Sequence, residues 1–119
     1  MARAVIVDDS KFMRKIISDI LIHGGHTVDG EADNGQAGVD LFVKFKPDFV
    51  TMDITMGGKD GINAVREIKS RDPHSKIIVV SALNQNTIKM NDANINADAF
   101  LTKPFTKEEL LSLVDKILS

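Results

Sequence analysis

A small set of side chains in this sequence could act together on phosphorus. Asp8 and Asp9 are adjacent carboxylates, Asp53 closes an apolar run, Ser81 offers a hydroxyl and Lys103 an ammonium. Three carboxylates brought to about 5 Å of one another repel by roughly 3 kcal/mol per pair at an effective dielectric near 20. Either one acid keeps its proton or a hard divalent cation binds, and an all-oxygen donor set suits Mg²⁺, Mn²⁺ or Ca²⁺. The cation is the expected relief. A cation beside a free carboxylate, with a lysine and a hydroxyl aimed at the same spot, is a set for phosphoryl transfer, which asks mainly for in-line positioning and charge neutralisation. Asp53 is then the nucleophile, and its aspartyl phosphate, a high-energy acyl phosphate, suits a transient signal.

Such chemistry needs an element to bring each residue to one place. Residues 48–53 form an apolar, β-favouring run between Pro47 and Gly57-Gly58, which predicts a strand buried on both faces with Asp53 at its carboxyl end. Residues 4–7 and 77–80 are further continuous apolar runs, ending at Asp8-Asp9 and at Ser81. Residues 27–31 predict a polar edge strand, and 99–101 a short strand running into Lys103-Pro104. Between them, Ser10 caps a helix whose stripe joins Phe12, Ile16 and Ile20 to Met13, Ile17 and Leu21, stopped by Gly24-Gly25. Asn34-Gly35 opens a helix carrying Leu41, Phe42 and Phe45, which Pro47 prevents from continuing. Residues 55–61 read as a glycine-rich loop before a helix over 62–71, and Asp72-Pro73 as a turn. An asparagine-rich helix is expected over 84–96. Thr106 and Glu109 form a capping-box pattern before a last helix with Leu110, Val114, Ile117 and Leu118.

Five strands alternating with helices predict an α/β fold, a doubly wound five-stranded parallel sheet in the order 2-1-3-4-5, flavodoxin-like (βα)5. In that order the first and third strands are neighbours at the switch point, so Asp8 and Asp9 meet Asp53 at one mouth, with Ser81 and Lys103 alongside.

Composition limits the alternatives. The 119 residues are 43% hydrophobic, enough for one domain over 1–119 with one sizeable core. Net charge is −2 with acids and bases interspersed, so nucleic acid and anionic membranes are not expected partners. There is no cysteine, which removes disulfides, thiolate metal sites and thiol catalysis. No apolar run approaches the roughly 20 residues of a membrane span, and the first residues are not built like a signal peptide, so a cytoplasmic location is expected. His23, His26 and His74 lack paired ligand spacing and read as surface residues, and neither glycine pair lies in a nucleotide-binding fingerprint.

Taken together, Asp8-Asp9 followed by Met13-Arg14, Asp53 followed by Met56, Asp60-Gly61, Ser81-Ala82 and Lys103-Pro104-Phe105 resemble the receiver domain of two-component response regulators. The resemblance spans the whole chain and is closest to stand-alone members that act in chemotaxis. It implies that Asp53 is the phosphoacceptor and that Mg²⁺ is held by Asp9, by Asp8 through water, by Asp53 and by the backbone carbonyl of Thr55. It implies that Lys103, before a cis bond to Pro104, contacts the phosphoryl group. Ser81 then hydrogen-bonds a phosphoryl oxygen while Phe100 swings inward, reshaping the face made by the 84–96 helix, the fifth strand and the last helix. The implied partners are a histidine kinase as phosphodonor, a motility-apparatus or adaptor protein on that face, and a phosphatase; the protein is expected to be monomeric. It promotes only its own phosphorylation and dephosphorylation and is not an enzyme of metabolites. Met56-Gly57-Gly58 departs from the family, which commonly has Pro after the methionine, and Phe100 lacks a tyrosine hydroxyl.

A phosphorelay shuttle fits the same residues, as does a small Mg²⁺-dependent phosphatase with an aspartate nucleophile. The phosphatase would need an acid two residues after Asp53, where Thr55 stands, and threonine cannot protonate a leaving group near neutrality. A receiver that only binds would require a gap in the constellation, and every member is present.

Overall fold

Every residue of β3 (Phe49–Asp53) and β4 (Ile77–Ser81) is buried, as continuous apolar runs in the middle of a parallel sheet must be. The computed structural model describes residues 1–54, 60–82 and 96–119. In it, β3 and β4 are joined by β1 (Arg3–Val7), β2 (Thr27–Ala32) and β5 (Ala99–Thr102) into one parallel sheet of order β2-β1-β3-β4-β5. The order is the predicted one. Four helices are described: α1 (Lys11–His23), α2 (Gly35–Phe45), α3 (Asp60–Arg71) and α4 (Lys107–Leu118). The helix expected over 84–96 lies outside the described residues except at Asn96, which is not helical.

Alternation along the strands sorts the core into two layers. Val5, Val7, Val50, Met52 and Val79 face α2 and α3, where Val39, Phe42, Val65 and Ile68 cover them. Ala4, Ile6, Phe49, Ile78 and Val80 face α1 and α4, covered by Ile17, Leu21, Leu110 and Val114. Register puts Val7 beside Met52 and Asp53 beside Val80, so residues 8, 53 and 81 emerge together at the carboxyl edge.

Local signals behave as their chemistry demands. Ser10 accepts a hydrogen bond from the Met13 amide, and Thr106 and Glu109 make both bonds of a capping box. α1 ends where Gly25 takes a φ of 89°, a conformation that suits glycine. Three expectations need correction. Phe12 is 74% exposed rather than part of the buried stripe, because it sits about 140° round the helix from Ile17, which with Leu21 defines the buried line. α3 begins at Asp60, so Asp60 and Gly61 belong to its first turn and not to a loop. His26 is half-buried, its Nδ1 accepting from the Ala2 amide at 3.1 Å and its ring set edge-on to Phe49; the pairing of β1 with β2 brings it there.

At the end opposite the carboxylates, Lys69 of α3 ties the sheet together. Its Nζ donates to the Asp98 carboxylate at 2.8 Å and to the Ser75 carbonyl, while the same Asp98 oxygen accepts from the Ile77 amide at 2.8 Å. Lys69 is only 10% exposed, so these bonds are shielded from water. Lys69→Met is expected to cost about 2 kcal/mol, the worth of a shielded hydrogen bond to a charged group. A lower urea midpoint at unchanged slope would record it.

Candidate functional site

Asp8 leaves β1 with its amide bonded to the Ala32 carbonyl at 3.0 Å, which carries the chain over the end of β2. Its side chain is fully buried, and one oxygen accepts from the Ser10 amide at 2.9 Å. Arg14, one turn into α1, donates to the Asp8 carbonyl at 2.6 Å and pairs with Glu31 at 3.2 Å. Asp53 is 2% exposed at the end of β3, and Ser81 is 1% exposed at the end of β4. Lys103 follows β5, its amide held by the Ser81 carbonyl at 2.7 Å and its bond to Pro104 cis.

These placements converge. Lys103 Nζ lies 3.0 Å from Asp8 Oδ2 and 3.4 Å from Asp53 Oδ2, an ammonium shared between two buried carboxylates. Asp9 is exposed beside them, and ligand atoms of Asp8, Asp9 and Asp53 all lie within 4.8 Å of one another. Burial pushes the Asp8 carboxyl above its ordinary value and the Asp53 charge adds to the rise; the Ser10 amide and Lys103 oppose it. Two buried acids and a third at the rim, faced by one lysine, form an oxygen-only, electron-rich cluster that fits a hard divalent cation such as Mg²⁺. Asp8, Asp9 and Asp53 would hold it.

The remaining predicted residues fall as follows. Phe100 is half-buried on β5 and packs against the core layer beneath α2 and α3. Phe100, Lys103 and Pro104 line one groove with Leu113 of α4. Thr55, Met56 and Gly57-Gly58 lie outside the described residues, as does Leu83. Sequence reasoning gave no role to Arg14 or Asp60, each of which makes a specific bond at this edge. Only their place in short motifs hinted at it.

The sheet order, the carboxyl-edge site and the acidic cluster define a doubly wound α/β domain whose mouth suits a cation and an anionic ligand. Residues 4–115 match the response regulator receiver domain, and the chain belongs to that family. Chemotaxis protein CheY of Thermotoga maritima is 42% identical over 115 residues, covering 97% of this chain and 96% of its own. Chemotaxis protein CheY of Bacillus subtilis is 42% identical over 117 residues, covering 98% of each. A chain of the CheX–CheY–BeF3–Mg²⁺ complex from Borrelia burgdorferi superposes with a TM-score of 0.90 at 28% identity, covering 98% of this chain and 89% of that one. Among the described residues, no helix is long and apolar enough to cross a membrane.

Proposed function

We propose that this chain is a CheY-type response regulator that takes a phosphoryl group from the phosphohistidine of a histidine kinase onto Asp53, in the cytoplasm and in the service of chemotaxis or motility. The observation that carries the reading is Lys103 Nζ set between the Asp8 and Asp53 carboxylates, within a cluster fit for Mg²⁺. An Asp53 oxygen attacks phosphorus in line. The bond from phosphorus to the imidazole nitrogen breaks, its electron pair stays on that nitrogen, and Asp53 becomes a mixed anhydride. Bound Mg²⁺ supplies charge neutralisation for the phosphoryl oxygens. Lys103 donates to one of these oxygens once Asp53 is modified, and Ser81 donates to another.

Ser81 pairs with Thr102 across the β4–β5 ladder, and Phe100 stands two residues earlier on the same strand. Movement of Ser81 toward the new dianion therefore bears on β5, and Phe100 turning inward alters the groove it shares with α4. That face, together with the 84–96 segment, receives a motility-apparatus or adaptor protein. A phosphatase resets the site. The protein turns over no metabolite.

Intact mass after incubation with acetyl phosphate tests this. Wild type is expected to gain one hydroxylamine-sensitive phosphoryl group only with Mg²⁺, and Asp53→Asn none. An equal adduct on Asp53→Asn would overturn the site. Steady release of phosphate without an adduct would point to turnover instead.

A further inference from the structure

We propose that Asp60 is a positioning residue for the phosphoacceptor: its carboxylate ties the first turn of α3 to the first turn of α2 and thereby sets the spacing between the Asp53 and Asp8 sides of the site. The inference rests on Asp53 being the phosphoacceptor. The ladder between β1 and β3 ends at the Val7–Met52 pair, so beyond it the spacing of the two strand ends depends on what their helices do.

Each helix is seated directly on one of those strand ends. A methyl group at Gly38 of α2 would meet Val7 Cγ2 at 2.6 Å, so α2 rests on the last residue of β1, next to Asp8. A methyl at Gly61 of α3 would strike the Asp53 carbonyl oxygen and come within 2.8 Å of Ile54 Cα, so α3 rests on the backbone of Asp53 and Ile54. Asp60 joins the two. Its Oδ2 accepts from the Gly35 amide, the first of α2, at 2.5 Å, where a carboxylate is favoured by the helix dipole. The approach is possible because residue 35 has no side chain, since a methyl there would lie 2.5 Å from the Asp60 carbonyl oxygen and 2.8 Å from Oδ1. Asn34 accepts from the Ala37 amide at 2.8 Å and leaves the Gly35 amide to Asp60, so the second capping group of α2 comes from another helix. What Asp60 adds is the link between helices.

Asp60→Ala removes the acceptor, and Gly35→Ala blocks the approach while improving the helix propensity of α2. Asp60→Asn keeps an acceptor oxygen. Mg²⁺ affinity by calorimetry and the initial rate of acetyl phosphate labelling would be measured well below each variant's melting temperature. Asp60→Ala and Gly35→Ala are expected to lose about tenfold in both, as residues that orient metal ligands do, and Asp60→Asn to recover most of the loss. Variants that melt lower but bind Mg²⁺ and label like wild type would reduce Asp60 to a structural brace and overturn the inference. If Asp60→Ala fails to fold, Gly35→Ala decides. Wild type that binds Mg²⁺ but takes no phosphoryl group would overturn the functional reading, and the relative Mg²⁺ affinities would still support or overturn the tie.

Discussion

Lys103→Met is expected to lower the stability of the Mg²⁺-free protein by about 3 kcal/mol, the lower end of what removing one partner from a buried ion pair costs. The Asp8 and Asp53 side chains are 1% and 3% exposed, and the Lys103 ammonium lies within 3.4 Å of both. Its loss leaves two desolvated carboxylates facing each other. Added Mg²⁺ restores positive charge at the same place, so the variant is expected to gain more from Mg²⁺ than wild type does. For wild type, saturation at 100 times Kd stabilises by about 2.7 kcal/mol. Labelling by acetyl phosphate is expected to fall by about two orders of magnitude, as on removal of a donor aimed at developing charge. Far-ultraviolet dichroism in urea, with and without Mg²⁺, reads the stability, since the chain has no Trp or Tyr to report by fluorescence. A Mg²⁺-free variant as stable as wild type would show that the ammonium is solvated rather than shared.

Asp8→Asn is expected to act in the opposite direction. Burial and the Asp53 charge hold the Asp8 carboxyl above its ordinary value in the fold. A raised acid binds its proton more tightly folded than unfolded. Its contribution to stability is therefore full below the ordinary aspartate value and is lost as pH rises through the folded one. At neutral pH the Mg²⁺-free wild type bears that loss, and Asp8→Asn does not. Asparagine can still accept from the Ser10 amide through its oxygen. The variant is expected to melt higher than wild type without Mg²⁺ and to lose most of the roughly 2.7 kcal/mol that saturating Mg²⁺ supplies. Thermal melts between pH 4 and 8 provide the check. A wild type without Mg²⁺ that gains stability relative to Asp8→Asn across that rise in pH would contradict the Asp8 assignment.

Opposite signs for two residues 3.0 Å apart follow from their places in one charge cluster. Lys103 relieves crowded negative charge when no cation is present, and Asp8 creates part of it.

The strands were legible because a parallel sheet covered on both faces demands continuous apolar runs, and residues 4–7, 49–52 and 77–80 are such runs. Asp8, Asp53 and Ser81 could be assigned to the carboxyl edge because each directly follows or ends a run, and strand order does the rest. Caps at Ser10, Asn34 and Thr106 were legible for a related reason: they satisfy backbone groups only a few residues away.

Contacts between residues far apart in the chain were not legible. Phe12 lies on the helical spacing of an apolar stripe, yet only the angle at which α1 meets the sheet decides that Ile17 and Leu21 are covered and Phe12 is not. His26 could be placed near a turn, but its bond to the Ala2 amide depends on β2 lying beside β1. Asp60-Gly61 was visible as a motif without a role, because the amide that Asp60 binds belongs to residue 35.

By itself, then, the sequence determined the order of elements, their caps and the set of acids, hydroxyl and lysine at one sheet edge, all of which follow from local pattern and topology. Only the tertiary structure decided how Lys103 is shared between Asp8 and Asp53, that burial raises the Asp8 carboxyl, and how α2 and α3 are tied over the two strand ends. Those are matters of distance and solvent exclusion between segments up to 95 residues apart in the chain, and no local pattern encodes them.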